Sequence, residues 1–241
     1  MANTFVSEKQ ACFETLDLTS IVTQLLEVFG EDVVLASSLS MEDQVLTYEL
    51  LKQQPNASIF VLDTGRLHQE TYDVMQETMS KYNFSYQVYF PDQLAIQKMV
   101  AEKGPNLFYE SIENRKQCCQ LRKIEPLSRA LEGKKAWMTG LRSEQSVTRH
   151  QLSVLNWDDQ YDMVKVNPLL HWTTTAVWEF IESHDIPYNR LHKKGFPSIG
   201  CAPCTRAVPD GDDFRSGRWW WEDPKQRECG LHVGSKKEGK E

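Results

Sequence analysis

Short apolar runs alternate with longer stretches of helical periodicity along most of this chain. Residues 33–37, VVLAS, and 58–62, SIFVL, are unbroken apolar runs of strand length. That is the pattern of strands buried on both faces of a parallel sheet. SYQVYF (85–90) alternates well enough for a third strand and is stopped by Pro91. AWMTG (136–140) and MVKVNPLL (163–170) read as a fourth and a fifth. Between them the apolar positions shift to helical spacing. A helix runs from Glu42 to about Gln53 on Val45, Leu46, Tyr48, Leu50 and Leu51. Others are expected from about Gln69 to Tyr82, from Pro91 or Asp92 to Gly104, and over 117–131 with Pro126 as a local disturbance. A last one, capped by Thr173 or Thr174, ends near Ile186-Pro187.

Strands alternating with helices predict an α/β fold, a mostly parallel sheet flanked by helices. Beyond residue 190 the periodicity gives way to Gly, Pro, Arg and Trp. We therefore expect an α/β nucleotide-binding domain over 1–190 and a loop-rich segment over 191–241 lying against the sheet edge, with a mobile end. In such sheets ligands bind beyond the carboxyl ends of the strands. Three stretches fall there: Ser37 to Gln44, Asp63-Thr64-Gly65-Arg66, and Gly140 to Ser146.

Composition narrows the setting. The chain of 241 residues carries a net charge of −7, so a general nucleic-acid binder is not expected. It has no apolar run long enough to span a membrane and no signal-like N-terminus, which points to the cytoplasm. In that compartment the six cysteines are not expected to form disulfides. Any anionic ligand must be met by local clusters of Arg and Lys.

The candidate chemistry concentrates in five places. The serine turn Ser37-Ser38-Leu39-Ser40 precedes a helix, whose free N–H groups favour an anion; taken alone, Ser40 is an ordinary cap. Asp63-Thr64-Gly65 is a turn in which glycine permits close approach to a nucleotide. GLRSEQSVTR (140–149) puts Arg142 and Arg149 in a strand-end loop of an acidic chain, and guanidinium forks match phosphate and sulfate. Cys118-Cys119 and Cys201-Ala202-Pro203-Cys204 supply four thiolates, suited to Zn²⁺ or to a [4Fe–4S] cluster. The adjacent pair favours the cluster, because neighbouring side chains diverge. Lys123 follows on the same helical face. Lastly, RSGRWWW brings Arg215 and Arg218 before three tryptophans. Beyond it a lone Cys229 stands near His232, a thiol open to activation by positive neighbours. Cys12 has no assigned role.

Together CC-x-x-RK (118–123), GLRSEQSVTR, CAPCTRAV, RSGRWWWE and ECGLH resemble the sulfonucleotide reductase family. More narrowly, they resemble its iron–sulfur adenylylsulfate reductases. The resemblance implies an adenine-nucleotide α-hydrolase-like sheet, with the serine turn as a modified pyrophosphate loop. It implies reduction of adenosine 5′-phosphosulfate to sulfite and AMP in sulfate assimilation and cysteine biosynthesis. The 3′-phosphorylated substrate, alone or as a second substrate, is the alternative. It implies Cys229 as nucleophile, passing through an S-sulfocysteine. Cys118, Cys119, Cys201 and Cys204 would hold a [4Fe–4S] cluster. Lys123, Arg142, Arg149, Arg215, Arg218 and His232 would contact the anion, and Ser37, Ser38, Asp63, Thr64 and Gly65 would form the nucleotide pocket. Thioredoxin or a glutaredoxin-like dithiol would be the reductant, and a homo-oligomer is left open. ATP-dependent adenylyl transfer on the same fold is the competing class, but SSLSMEDQ lacks the glycines of an ATP pyrophosphate loop. A non-catalytic cluster sensor is a third, and it would not need Cys229.

Overall fold

The computed structural model describes residues 2–145, 152–209 and 211–223. Six strands form one sheet in the order β3-β2-β1-β4-β6-β5. They are β1 (Val33–Ser37), β2 (Ser58–Leu62), β3 (Gln87–Tyr89), β4 (Ala136–Met138), β5 (Leu155–Asp158) and β6 (Met163–Val166). All neighbours are parallel except β5, which pairs antiparallel with β6 at the edge. This is the mostly parallel sheet that the alternation of runs predicts.

Period-two geometry explains why the strands read as continuous apolar runs. Val33, Leu35, Ile59, Val61, Ala136, Met138, Val164 and Val166 pack into the larger core. Their alternates Val34, Phe60, Trp137 and Met163 pack on the other face, under Leu127, Ala130 and Leu131. Every central strand is thus covered on both sides, as parallel strands require.

Among the described residues eight α-helices surround the sheet: α1 (Ala2–Phe13), α2 (Leu18–Phe29), α3 (Met41–Gln53), α4 (Gln69–Tyr82), α5 (Gln93–Lys103), α6 (Ile112–Cys119), α7 (Glu125–Leu131) and α8 (Thr174–Ser183). Asp17 caps α2, Asp92 caps α5 and Thr173 caps α8, each accepting from an N–H three residues on. The helix expected over 117–131 is two helices joined by a π-helical turn, Gln120–Ile124, with Pro126 in the first turn of α7. A proline there needs no N–H partner. Helices α1 and α2 and strand β5 were not anticipated.

Strand order reverses between β1 and β4, with β2 and β3 continuing on one side and β6 and β5 on the other. That is the topological switch point of an open sheet. Among the described residues no helix is long and apolar enough to cross a membrane.

Candidate active site

A cavity of about 200 Å³ opens at the switch point. Three strand ends supply its polar floor: Ser37 and Ser38 after β1, Thr64 after β2, and Thr139 and Gly140 after β4. Apolar groups from the second core, among them Phe60, Leu62 and Leu127, line another part. The C-terminal segment closes it with Ser198, Gly200, Cys201, Phe214, Arg215 and Arg218.

The serine turn is held by a carboxylate. Asp43, only 4% exposed, accepts from the Ser38 N–H and Oγ, both at 2.6 Å, and from Ser40 Oγ at 3.4 Å. Burial pushes its pKa up to about 6, against the pull of these hydrogen bonds. Between the two serines Leu39 takes a φ of +63°, unusual for a non-glycine residue. It is fully buried, so packing keeps it there. Gly140 is glycine for a related reason: a Cβ would strike Asp43 and lie 2.8 Å from Glu42 Cβ.

The second turn joins the cavity to the cysteines. Asp63 accepts from the Gly65 N–H at 2.8 Å and from Tyr72 Oη at 3.0 Å. Burial, with Asp63 beside it, pushes the Tyr72 hydroxyl up to about 12. Gly65 has φ +69°, as this turn demands. Thr64 Oγ1 lies 3.3 Å from Cys201 Sγ, and its carbonyl accepts from Arg122 Nη1 at 2.6 Å.

Cys118, Cys119, Cys201 and Cys204 all line one small cavity beside the first, walled by Arg66, Arg115, Arg122 and Lys123. Lys123 and Cys201 border both cavities. Burial pushes the Cys204 thiol up to about 12, with Cys201 adding to the rise and Lys123 and Arg218 opposing it. Cys118 is raised by the same cause and lowered by Arg122. Such thiols stay protonated until a cationic centre takes them as thiolates. Among the described residues, no three His, Cys, Asp or Glu side chains are gathered about a single metal-ion position. Arg122 Nε and Trp219 Nε1 are buried there without a hydrogen-bond partner.

The expected site residues therefore divide. Ser37, Ser38, Thr64, Lys123, Arg215 and Arg218 line the cavity. Asp63 and Gly65 shape the adjoining turn from behind the wall. Arg142, expected to contact the anion, is turned into the protein. It is fully buried, and it donates to Glu42 at 2.9 Å, Glu144 at 2.6 Å, the Trp172 carbonyl and Thr174 Oγ1. Its strand-end position suggested a ligand contact, but these acceptors converge on it behind the loop. Arg149, Cys229 and His232 lie outside the described residues. Sequence reasoning passed over Asp43, Gly200 and Phe214, and took Ser40 only as a helix cap. Only Asp43 gave a signal, as an acidic residue in a helix's first turn beside the serines.

Residues 32–207 match the family described as the phosphoadenosine phosphosulfate reductase domain. An adenosine 5′-phosphosulfate reductase of Burkholderia cepacia is 45% identical over 232 residues, covering 96% of this chain and 92% of that protein. Another, of Allochromatium vinosum, is 48% identical over 202 residues, covering 84% and 79%. Among solved structures, a phosphoadenylyl-sulfate reductase from Candida auris superposes with a TM-score of 0.72 at 21% identity, over 86% of this chain and 98% of that one. The FMN adenylyltransferase of Candida glabrata superposes with a TM-score of 0.57 at 17% identity, over 96% and 78%. These last two speak for the fold, an adenine-nucleotide α-hydrolase-like sheet. With its switch-point cavity, its four-cysteine chamber and relatives matched over nearly their whole length, this chain belongs to the phosphoadenosine phosphosulfate reductase family.

Proposed function

We propose that the chain reduces adenosine 5′-phosphosulfate to sulfite and AMP, with Cys229 as nucleophile and a thioredoxin-like dithiol as reductant. The observation that carries this reading is the switch-point cavity, apolar around Phe60 and Leu127 and cationic around Lys123, Arg215 and Arg218. A purine suits the first part and a phosphosulfate the second. The names borne by relatives more than 40% identical support the same substrate.

In this reading the Cys229 thiolate attacks the sulfate sulfur. An S–S bond forms as the S–O bond to the phosphate breaks, and AMP departs with the electron pair. A dithiol then attacks Sγ of the S-sulfocysteine and expels sulfite. Its second thiol resolves the mixed disulfide, so the dithiol supplies both electrons. Guanidinium and ammonium groups offset charge building on the departing phosphate. The C-terminal segment acts with the α/β domain as one unit, since its residues between Pro197 and Arg218 line the cavity together with that domain. No disulfide joins the described cysteines, as a cytosolic setting would have it.

The four cysteines fit a [4Fe–4S] cluster. A cubane presents several iron corners, which suits donors spread along one cavity, and the unpartnered Arg122 and Trp219 donors suit acceptor sulfur. When bound, the cluster supplies a compact anionic body whose field Lys123 balances beside the substrate. The test is to incubate the reconstituted protein, without reductant, with adenosine 5′-phosphosulfate and with its 3′-phosphorylated form, then weigh the intact chain. We expect one added SO₃ on Cys229 from the former and none in Cys229→Ser. An unmodified wild type, or sulfite release by Cys229→Ser at the wild-type rate, would overturn the reading.

A further inference from the structure

We propose that Trp219 is a positioning residue, its ring setting where the Arg218 guanidinium stands in the substrate cavity. The inference rests on the reading that Arg218 holds the substrate anion. Trp219 is 1% exposed. The Arg218 guanidinium lies 4.8 Å from its ring centroid, and Arg115 lies at the same distance. Arg215 lies over the same ring at 5.9 Å, so Arg115 and Arg218 are the nearer of three guanidinium groups against it, a contact aromatic rings favour when desolvated.

The two cations are tied differently. Arg115 makes a buried, two-bonded pair with Glu222, its Nε at 3.0 Å and its Nη2 at 2.8 Å. Arg218 has weaker ties: Nη1 reaches Ser198 Oγ at 3.3 Å and the Ile199 carbonyl at 3.2 Å, while its buried Nε meets no acceptor. An arginine so lightly tethered needs a surface to lie on, and the indole is that surface. Gly200 leaves room on the cavity side, where a Cβ would run into the guanidinium.

The backbone shows how firmly the ring is placed. Trp219 has φ +43°, a conformation costly for a bulky residue. Its N–H donates to the Cys204 carbonyl at 3.2 Å, and its carbonyl accepts from the Glu222 N–H at 2.8 Å. Hydrogen bonds on both sides therefore fix the strained turn. The same ring packs in the apolar cluster of Cys118, Cys201 and Cys204. A shift of the cysteine loop would thereby move a substrate-facing cation.

A double-mutant cycle tests this in the full-length, cluster-reconstituted Cys229→Ser protein, which can bind adenosine 5′-phosphosulfate without turnover. Arg218→Lys and Trp219→Leu should each weaken binding of that nucleotide about tenfold. Trp219→Phe, which keeps a flat face, should bind nearly as wild type. Independent effects would multiply to about a hundredfold in the double variant, whereas coupled ones stay near the larger single effect. Coupling supports the proposal, and a multiplied loss overturns it. Should Trp219→Leu not fold, as judged by its melting curve, Trp219→Met carries the same cycle. If Arg218→Lys binds normally, the reading of Arg218 as an anion contact fails, and the proposal with it.

Discussion

Asp43 is a carboxylate buried behind the serine turn, where it is met by the Ser38 N–H and two serine hydroxyls. Its charge is costly to bury, and its pKa stands at about 6 rather than 3.8. A carboxylate raised in the folded state stabilises the fold below its unfolded pKa, and that contribution is lost as pH climbs through the folded value. Between pH 4 and pH 7 the wild type should therefore lose about 2 kcal/mol relative to Asp43→Asn, since each tenfold weakening of an acid corresponds to about 1.4 kcal/mol and the unfolded carboxyl is already partly ionised at pH 4. Urea midpoints of the two proteins across that range measure the difference. Function explains why the acid is kept. A neutral amide oxygen accepts more weakly than a carboxylate, and here one oxygen gathers the Ser38 N–H and both serine hydroxyls. The variant's serine turn should therefore loosen, and its KM for adenosine 5′-phosphosulfate rise severalfold. A pH-independent stability gap would show that Asp43 is not the group being titrated.

At the scale of elements, α6 and the C-terminal segment are joined by the Arg115–Glu222 pair, both side chains almost wholly buried. Removing one member of such a pair strands the other, at a cost of about 3–5 kcal/mol. Glu222→Ala should therefore melt well below the wild type, while Arg115→Met with Glu222→Leu should recover much of the loss. A melting point unchanged in Glu222→Ala would argue that water reaches Arg115. The pair also shows what the sequence conceals. The strands were legible because burial on both faces leaves an apolar run, and α4 and α8 because one buried face repeats every three to four residues. Nothing in the residues near 115 and 222 announces that they meet. The π-helical turn was hidden too: Pro126 signals a disturbance but not that an extra residue per turn brings both Arg122 and Lys123 to the cysteine cavity. The inward turn of Arg142 was hidden as well, because a motif gives a residue's neighbourhood in sequence, not the direction of its side chain.

Over the whole molecule, two apolar cores cover the sheet, and the four-cysteine cavity adjoins a third cluster that includes Met99, Leu107, Phe108 and Trp219. Two cysteines end α6, and two come from the loop at 201–204, far away in sequence. A cross-link between such distant points restricts the unfolded chain most, but its folded contacts reach the cysteine cluster and the turn after β2 rather than the two sheet cores. If the four thiols hold the proposed cluster, its loss should therefore act unevenly. Amides in β1 and β4, buried between the two sheet cores, should keep their protection against hydrogen exchange. Those of residues 195–223 should exchange at least about tenfold faster, since a small apolar cluster and the Arg115–Glu222 pair are then their main ties to α6. Exchange compared between reconstituted and chelator-treated protein makes the measurement. A loss of protection spread evenly over the sheet would mean that the four thiols brace the whole fold. No change in 195–223 would mean that the loop keeps its place without them.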